Sequence, residues 1–192
     1  MKSLVLSLSI LFLSIGTFAT DIKPSSKKVD ISKSVVTWKG YKIMKSHEGT
    51  LNFKSGSLEF SGKVLSGGEL IVDMASLTNT DMAAGSGKEK LEGHLKSEDF
   101  FGVDKYPTAT IKFTKVTPKG KTGDYEITAN VTIKETTKEI KFNATAKDGI
   151  AKATLKLDRS DYNVRFGSGK FFENLGDKAI YDEFDLNVSL KY

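Results

Sequence analysis

Apolar and polar residues alternate almost without interruption from Tyr125 to Ala146. Tyr125, Ile127, Ala129, Val131 and Ile133 share one parity, while Glu126, Thr128, Asn130, Thr132 and Lys134 share the other. After Glu135-Thr136-Thr137 the apolar parity returns as Ile140, Phe142, Ala144 and Ala146. Successive side chains of a strand point to opposite faces, so this pattern predicts a hairpin with one dry and one wet face. The same period predicts a first strand over 29–43, broken around Gly40, and a hairpin of Gly49–Phe53 with Leu58–Phe60 across Lys54-Ser55-Gly56. Gly67-Gly68 reads as the next turn, before a strand from Glu69 to Ser76. Alternation is also clear at Ala109, Ile111 and Phe113, at Ala151 to Leu157 after a turn at Asp148-Gly149, and at Phe184 to Leu190.

Two stretches depart from that period. From Glu89 to Phe101 the spacing of Leu91, His94 and Leu95 is helical, and Tyr106-Pro107 ends the element. Thr78–Lys88 and Arg159–Lys178 read as loops. The pattern therefore predicts an all-β chain of about eight strands with a short helical insertion, a meander that curls into a sandwich or a barrel.

A barrel lined by apolar side chains is either a packed core or a container, and small barrels are normally packed. The inward parity carries Phe53, Phe60, Val72, Met74, Ile111, Phe113, Ile127, Val131, Phe142, Leu155 and Phe184, with Val35 in the first strand. It also carries small residues on adjacent strands, namely Ala129, Ala144, Ala146, Ala151 and Ala153, which leave room. Periodicity leaves the two outcomes open. If the barrel is a container, the twelve candidates for its apolar lining are those eleven larger residues with Ala129.

The first residues follow another logic. Lys2, the apolar run Leu4–Ile15 and the small residues at Thr17 and Ala19 have the layout of a secretory signal peptide, cleaved after Ala19. The run is shorter than the roughly 20 residues a membrane span needs. This divides the chain into a leader, 1–19, and one exported domain, 20–192, periplasmic or secreted, with no stable membrane insertion after cleavage. The chain has no cysteine, so neither a disulfide nor a lipid-modified cysteine contributes.

Net charge is +5, yet only Arg159 and Arg165 among the 29 basic residues are arginine, and the lysines are scattered over outward strand positions. Nucleic-acid binders cluster arginine with aromatics on one face, so this pattern reads as solvation and edge protection, with no nucleic-acid partner.

The candidate polar residues are few. His47 and His94 are the only histidines, and neither sits at a metal-binding spacing, so no metal and no cofactor are expected. Gly85-Ser86-Gly87-Lys88 lacks the pattern of both a nucleophile elbow and a phosphate loop. Arg159 continues the inward parity of Leu155 and Leu157. A charge so placed needs a partner. It either grips an anionic head group at the barrel mouth or pairs with an acid such as Asp161 or Asp99. His47, Arg159 and Asp161 are therefore the candidates for a polar mouth. Phe166, Phe171, Phe172 and Leu175 lie on a glycine-flanked segment that either lids the mouth or tucks its rings into the barrel end.

Several blocks resemble the YceI-like family of exported lipid-binding proteins: Ser46-His47-Glu48-Gly49, His94-Leu95-Lys96-Ser97-Glu98-Asp99-Phe100-Phe101, Lys105-Tyr106-Pro107-Thr108-Ala109-Thr110 and Asp158-Arg159-Ser160-Asp161-Tyr162-Asn163-Val164. The likeness runs from about Val29 to Tyr192. It departs at Glu135, where family members carry a glycine. The resemblance implies an antiparallel, up-and-down, lipocalin-like β-barrel of about eight strands, whose long apolar interior holds a polyisoprenoid or fatty-acyl chain for sequestration or transport, without enzymatic activity. The expected partner is a hydrophobic small molecule, and a homodimer is an option. Two rival readings stay open: a structural or stress-protective protein with no resident ligand, and a lipid-modifying enzyme of the same shape.

Overall fold

The computed structural model describes residues 24–192. The leader assigned to 1–19, its cleavage after Ala19 and residues 20–23 lie outside the described residues. The strands are β1 (Pro24–Lys28), β2 (Val35–Lys42), β3 (Lys45–Ser61), β4 (Val64–Asn79), β5 (Thr108–Pro118), β6 (Asp124–Ile133), β7 (Thr136–Lys147), β8 (Ile150–Asp158) and β9 (Ile180–Lys191), with one helix, α1 (Lys88–Lys96), between β4 and β5. All neighbouring pairs are antiparallel, in the order β1-β3-β2-β9-β8-β7-β6-β5-β4, and a β3–β4 pairing closes β2 to β9 into an eight-stranded barrel. Closure leaves no long free edge, which suits a chain so rich in alternating strands.

The featured hairpin is β6–β7, in register from Asp124↔Thr145 to Ile133↔Thr136. Its two-residue turn is Lys134-Glu135, and the left-handed position is Lys134 (φ 54°), not Glu135.

The expected hairpin across Lys54-Ser55-Gly56 does not form. β3 runs straight through these residues, and its pairing with β4 slips between Phe53 and Ser55. Such a bulge reverses parity, so Leu51 and Phe53 point inward before it and Leu58 and Phe60 after it. The turn expected at Gly67-Gly68 is also displaced. β3 and β4 turn at Gly62-Lys63, with Gly62 at φ 63°, and both glycines lie within β4. A Cβ on Gly68 would stand 2.9 Å from the Phe113 ring, so the wall closes there only around a bare backbone. The first strand starts later than expected, because Asp30 caps a 3₁₀ turn at Ile31–Lys33. Inward parity in β2 therefore falls on Val36 and not Val35.

One end of the barrel is sealed. β1 pairs with Ser57–Ser61 of β3, along the edge that β2 occupies only from Lys45 to Leu51. Beyond it, Val29 N–H donates to Gly56 O (2.9 Å) and Asp30 N–H to Lys191 O (2.7 Å), bridging β3 and β9. Behind this strap Phe60 packs on Tyr192, with ring centroids 5.3 Å apart. The Leu65 N–H donates to the buried Tyr125 hydroxyl (3.1 Å).

β7 and β8 pair only from Ala144↔Ala153 to Lys147↔Ile150 and then part. Tyr162, 1% exposed, packs with Val131, Ile133 and Leu157, with Ile140 and Phe184 alongside, and so plugs the parting. Burial pushes its hydroxyl pKa up to about 12.

Candidate functional site: an apolar cavity and its mouth

The barrel is not solid. Its interior holds a cavity of about 560 Å³, in the size range of small-molecule sites. β8 lines it from Ala151 to Leu157, roughly 20 Å of strand at about 3.3 Å per residue. The walls are almost wholly apolar: Leu51, Phe53, Val72, Met74, Ile111 and Phe113 on one side, and Phe142, Ala144, Ala153, Leu155, Phe184 and Leu186 on the other. An apolar hollow of this kind stays dry or fills with an apolar guest.

Of the twelve candidates for the lining, all but Phe60 and Ala129 face the cavity. Phe60 belongs to the sealed end. Ala129 is fully buried in the wall opposite Phe113, its cross-strand partner. Other lining residues eluded periodicity. Val36 and Trp38 follow the late start of β2, and Leu95, Phe100, Phe101 and Phe166 reach the cavity from outside the sheet. Trp38 packs across Gly49, where any Cβ would lie 2.7 Å from its ring.

Three segments meet at the open end. α1 is docked by Glu92, whose Oε1 accepts from the Thr78 hydroxyl and the Asn79 N–H, both at 2.7 Å. These bonds, the Asn79 N–H first, hold the Glu92 carboxyl below its ordinary pKa. The His94 ring stands edge-on to Phe166 (4.4 Å) and to Phe100 (5.1 Å), so helix, following turn and the 163–179 loop share one aromatic cluster.

His47 lies at the mouth, where its Nδ1 meets Asp81 Oδ2 at 2.9 Å. Partial burial would raise the Asp81 carboxyl, but the Glu48 N–H, His47 and the Asn79 amide outweigh it and hold the pKa low. Asp161 is exposed, outside the cavity, on the outer surface near the β7–β8 parting.

Arg159 borders the cavity and is only 4% exposed. Its partner is neither Asp161 nor Asp99. Nε donates to Tyr181 O (3.1 Å), Nη1 to Val164 O (3.0 Å) and Phe166 O (2.8 Å), and Nη2 to Ile180 O (3.0 Å). Asp182 Oδ1 lies 3.1 Å from Nη2 but off the N–H direction, so it supplies charge balance without a directed bond. Burial draws the arginine pKa down, against Asp182 and Asp158. Four bonds to carbonyls of two segments make this guanidinium a clamp joining the loop to β9.

Among the described residues no cluster of three or more His, Cys, Asp and Glu could hold a metal ion, and no helix is long and apolar enough to cross a membrane.

The YceI-like domain matches residues 27–192. The chain belongs to the YceI-like family. It is 31% identical over 135 residues to a UPF0312 protein of Vibrio parahaemolyticus, covering 69% of this chain and 66% of that one. The same identity holds over 96 residues, half of this chain, with a UPF0312 protein of Pectobacterium carotovorum, and the match spans about half (46%) of that protein's length. Among solved structures the fold is similar to Burkholderia cenocepacia BcnA, with a TM-score of 0.65 at 22% identity over 84% of this chain and 98% of that one. It is also similar to a polyisoprenoid binding domain from Saccharophagus degradans, with a TM-score of 0.56 at 17% identity over 88% and 97% of the two chains.

Proposed function

We propose that this YceI-like barrel is an exported carrier that holds one long apolar chain, a polyisoprenoid or a fatty-acyl lipid, in its interior for sequestration or transport. The observation that carries the reading is the elongated apolar cavity of about 560 Å³ inside a closed barrel. The likeness to a polyisoprenoid binding domain supports the ligand class. Burying about ten CH₂ groups at about 0.8 kcal/mol each gives roughly 8 kcal/mol of driving force. Before ordering costs that corresponds to an affinity of about 1 μM. Specificity for an anionic head group does not rest on Arg159 in this reading, because its donors are occupied by carbonyls. The polar groups at the mouth are engaged in holding segments together, which favours a binder over a catalyst.

Native mass spectrometry of protein purified from its own host tests the proposal. A retained lipid, removable by extraction and replaced on adding a polyprenol or long-chain fatty acid, is expected. A bare mass together with no uptake of either lipid would leave the structural reading in its place. Terminal sequencing of the same material should find Thr20 or Asp21 first; an intact Met1 would remove the export part.

A further inference from the structure

The four exposed aromatic rings among the described residues, Phe166, Phe171, Phe172 and Tyr181, all stand at the open end of the barrel. Met44, 96% exposed, projects from the β2–β3 turn next to them, because Lys42 pairs with Ile180. Phe171 is 43%, Phe172 49% and Tyr181 55% exposed. The other exposed large apolar residues, Ile31, Val64 and Ile150, are single aliphatic side chains at the sealed end. An apolar patch gathered around an opening marks an interaction surface in a way that scattered residues do not.

Charge indicates which partner covers it. The rim segments 42–45 and 165–181 carry Lys42, Lys45, Arg165, Lys170 and Lys178 against Glu173 and Asp177. Lys170 is paired with Asp158, and the Arg165 guanidinium lies 4.8 Å over the Phe171 ring. Lys42, Lys45 and Lys178 enter no ion pair among the described residues. Aromatic and thioether side chains surrounded by lysine and arginine match the interface of an anionic bilayer, where rings sit at head-group depth and cations meet phosphates.

We infer that the barrel docks mouth-down on an anionic membrane surface through Met44, Phe171, Phe172 and Tyr181, with Lys42, Lys45 and Lys178 against the lipid head groups. This rests on the carrier reading, since it places the opening of the cavity at the lipid it would take up or return.

Sedimentation with vesicles tests it. The purified protein should bind phosphatidylglycerol–phosphatidylcholine vesicles, bind phosphatidylcholine alone more weakly, and lose binding as salt rises. Combined Met44→Ser and Phe172→Ser should lower partitioning by on the order of tenfold or more. Lys42→Glu with Lys178→Glu should abolish the preference for phosphatidylglycerol. The Met44→Ser and Phe172→Ser variant should take up a fluorescent fatty acid in membrane-free buffer as the parent does, since neither side chain lines the cavity. No vesicle binding by the parent, or equal binding by parent and variants, overturns the inference while uptake in buffer leaves the carrier reading standing. Vesicle binding without uptake has the opposite meaning. A parent that is dimeric in solution and made monomeric by Met44→Ser and Phe172→Ser also overturns it, because a second copy then covers the patch.

Discussion

Both ends of the barrel are built with aromatic side chains, but the two sets are used in opposite ways. At the sealed end Phe60, Tyr125 and Tyr192 pack against Val29 and Leu65, and the Tyr125 hydroxyl accepts a backbone N–H. At the mouth Phe171, Phe172 and Tyr181 face solvent, and Phe166 is itself exposed on the side away from His94. The sealed end is held by contacts that folding itself satisfies. The mouth keeps apolar surface in water at a standing cost in free energy, which only something outside the folded chain could offset. Residue type alone would rate the two ends alike; the difference lies in what each ring touches.

The largest expected effects separate the ends by stability. Phe60→Ala should cost about 3–5 kcal/mol in denaturant unfolding, as truncation of a buried aromatic does. Phe172→Ala should stay within about 0.5 kcal/mol. Comparable losses from both would erase the distinction.

Arg159 stands between the two regimes, a buried charge that organises the mouth. Arg159→Ala should cost about 3–5 kcal/mol, because several carbonyls and Asp182 lose their partner together. Arg159→Lys should recover part of the loss, since one ammonium cannot span carbonyls of two segments. Affinities for a polyprenyl phosphate and the matching alcohol should fall by the same factor, measured by fluorescence titration. A selective loss of the phosphate would return the arginine to head-group recognition.

A pair of alanines sharpens the line between wall and hollow. Ala129 is sealed in the wall, and Ala144 faces the cavity. Ala129→Phe should overpack and cost about 1–3 kcal/mol. Ala144→Phe should leave the melting temperature nearly unchanged and weaken lipid uptake by roughly tenfold, about 1.4 kcal/mol.

The smallest effect is a pH dependence of the mouth. Asp81, Glu92 and Asp158 tie the β4 end, α1 and the 163–179 loop to the barrel, and each folded pKa lies below its ordinary value of 3.8, 4.5 and 3.8 respectively. A carboxyl depressed on folding stabilises the protein above its unfolded pKa, and that contribution is lost as pH falls through the folded one. Below about pH 4 the mouth should therefore loosen first. Hydrogen exchange should show α1 and residues 163–179 losing protection before β6, although the solvent-exposed Asp30 at the sealed end is also depressed.

The alternation that names β6 and β7 so clearly works because no bulge interrupts their pairing. In β3 the period breaks at Lys54-Ser55-Gly56, and a break in parity looks the same whether the chain turns back or bulges onward. The same ambiguity placed the next turn at Gly67-Gly68, where the glycines in fact admit the Phe113 ring. Most of the cavity wall was legible because it follows strand parity. At the mouth His47, Arg159 and Phe166 were legible as residues but their contacts were not, because the aromatic cluster and the clamp of Arg159 join segments whose meeting depends on the closed barrel. The partner Asp182 lies 23 residues beyond Arg159, and only the β8–β9 pairing brings them together.

The strap formed by β1 and the residues after it has a consequence for traffic. Val29 and Asp30 are bonded across β3 and β9 at one end, and Tyr162 packs where β7 and β8 part, so the hollow is stopped at both places. On the carrier reading, a chain that enters at the mouth with one terminus backs out the same way, so the last group to enter is the first to leave. On that reading, cargo is not threaded through the barrel from one face to another. Carriage between two places would then require the whole protein to let go, turn and present its mouth again.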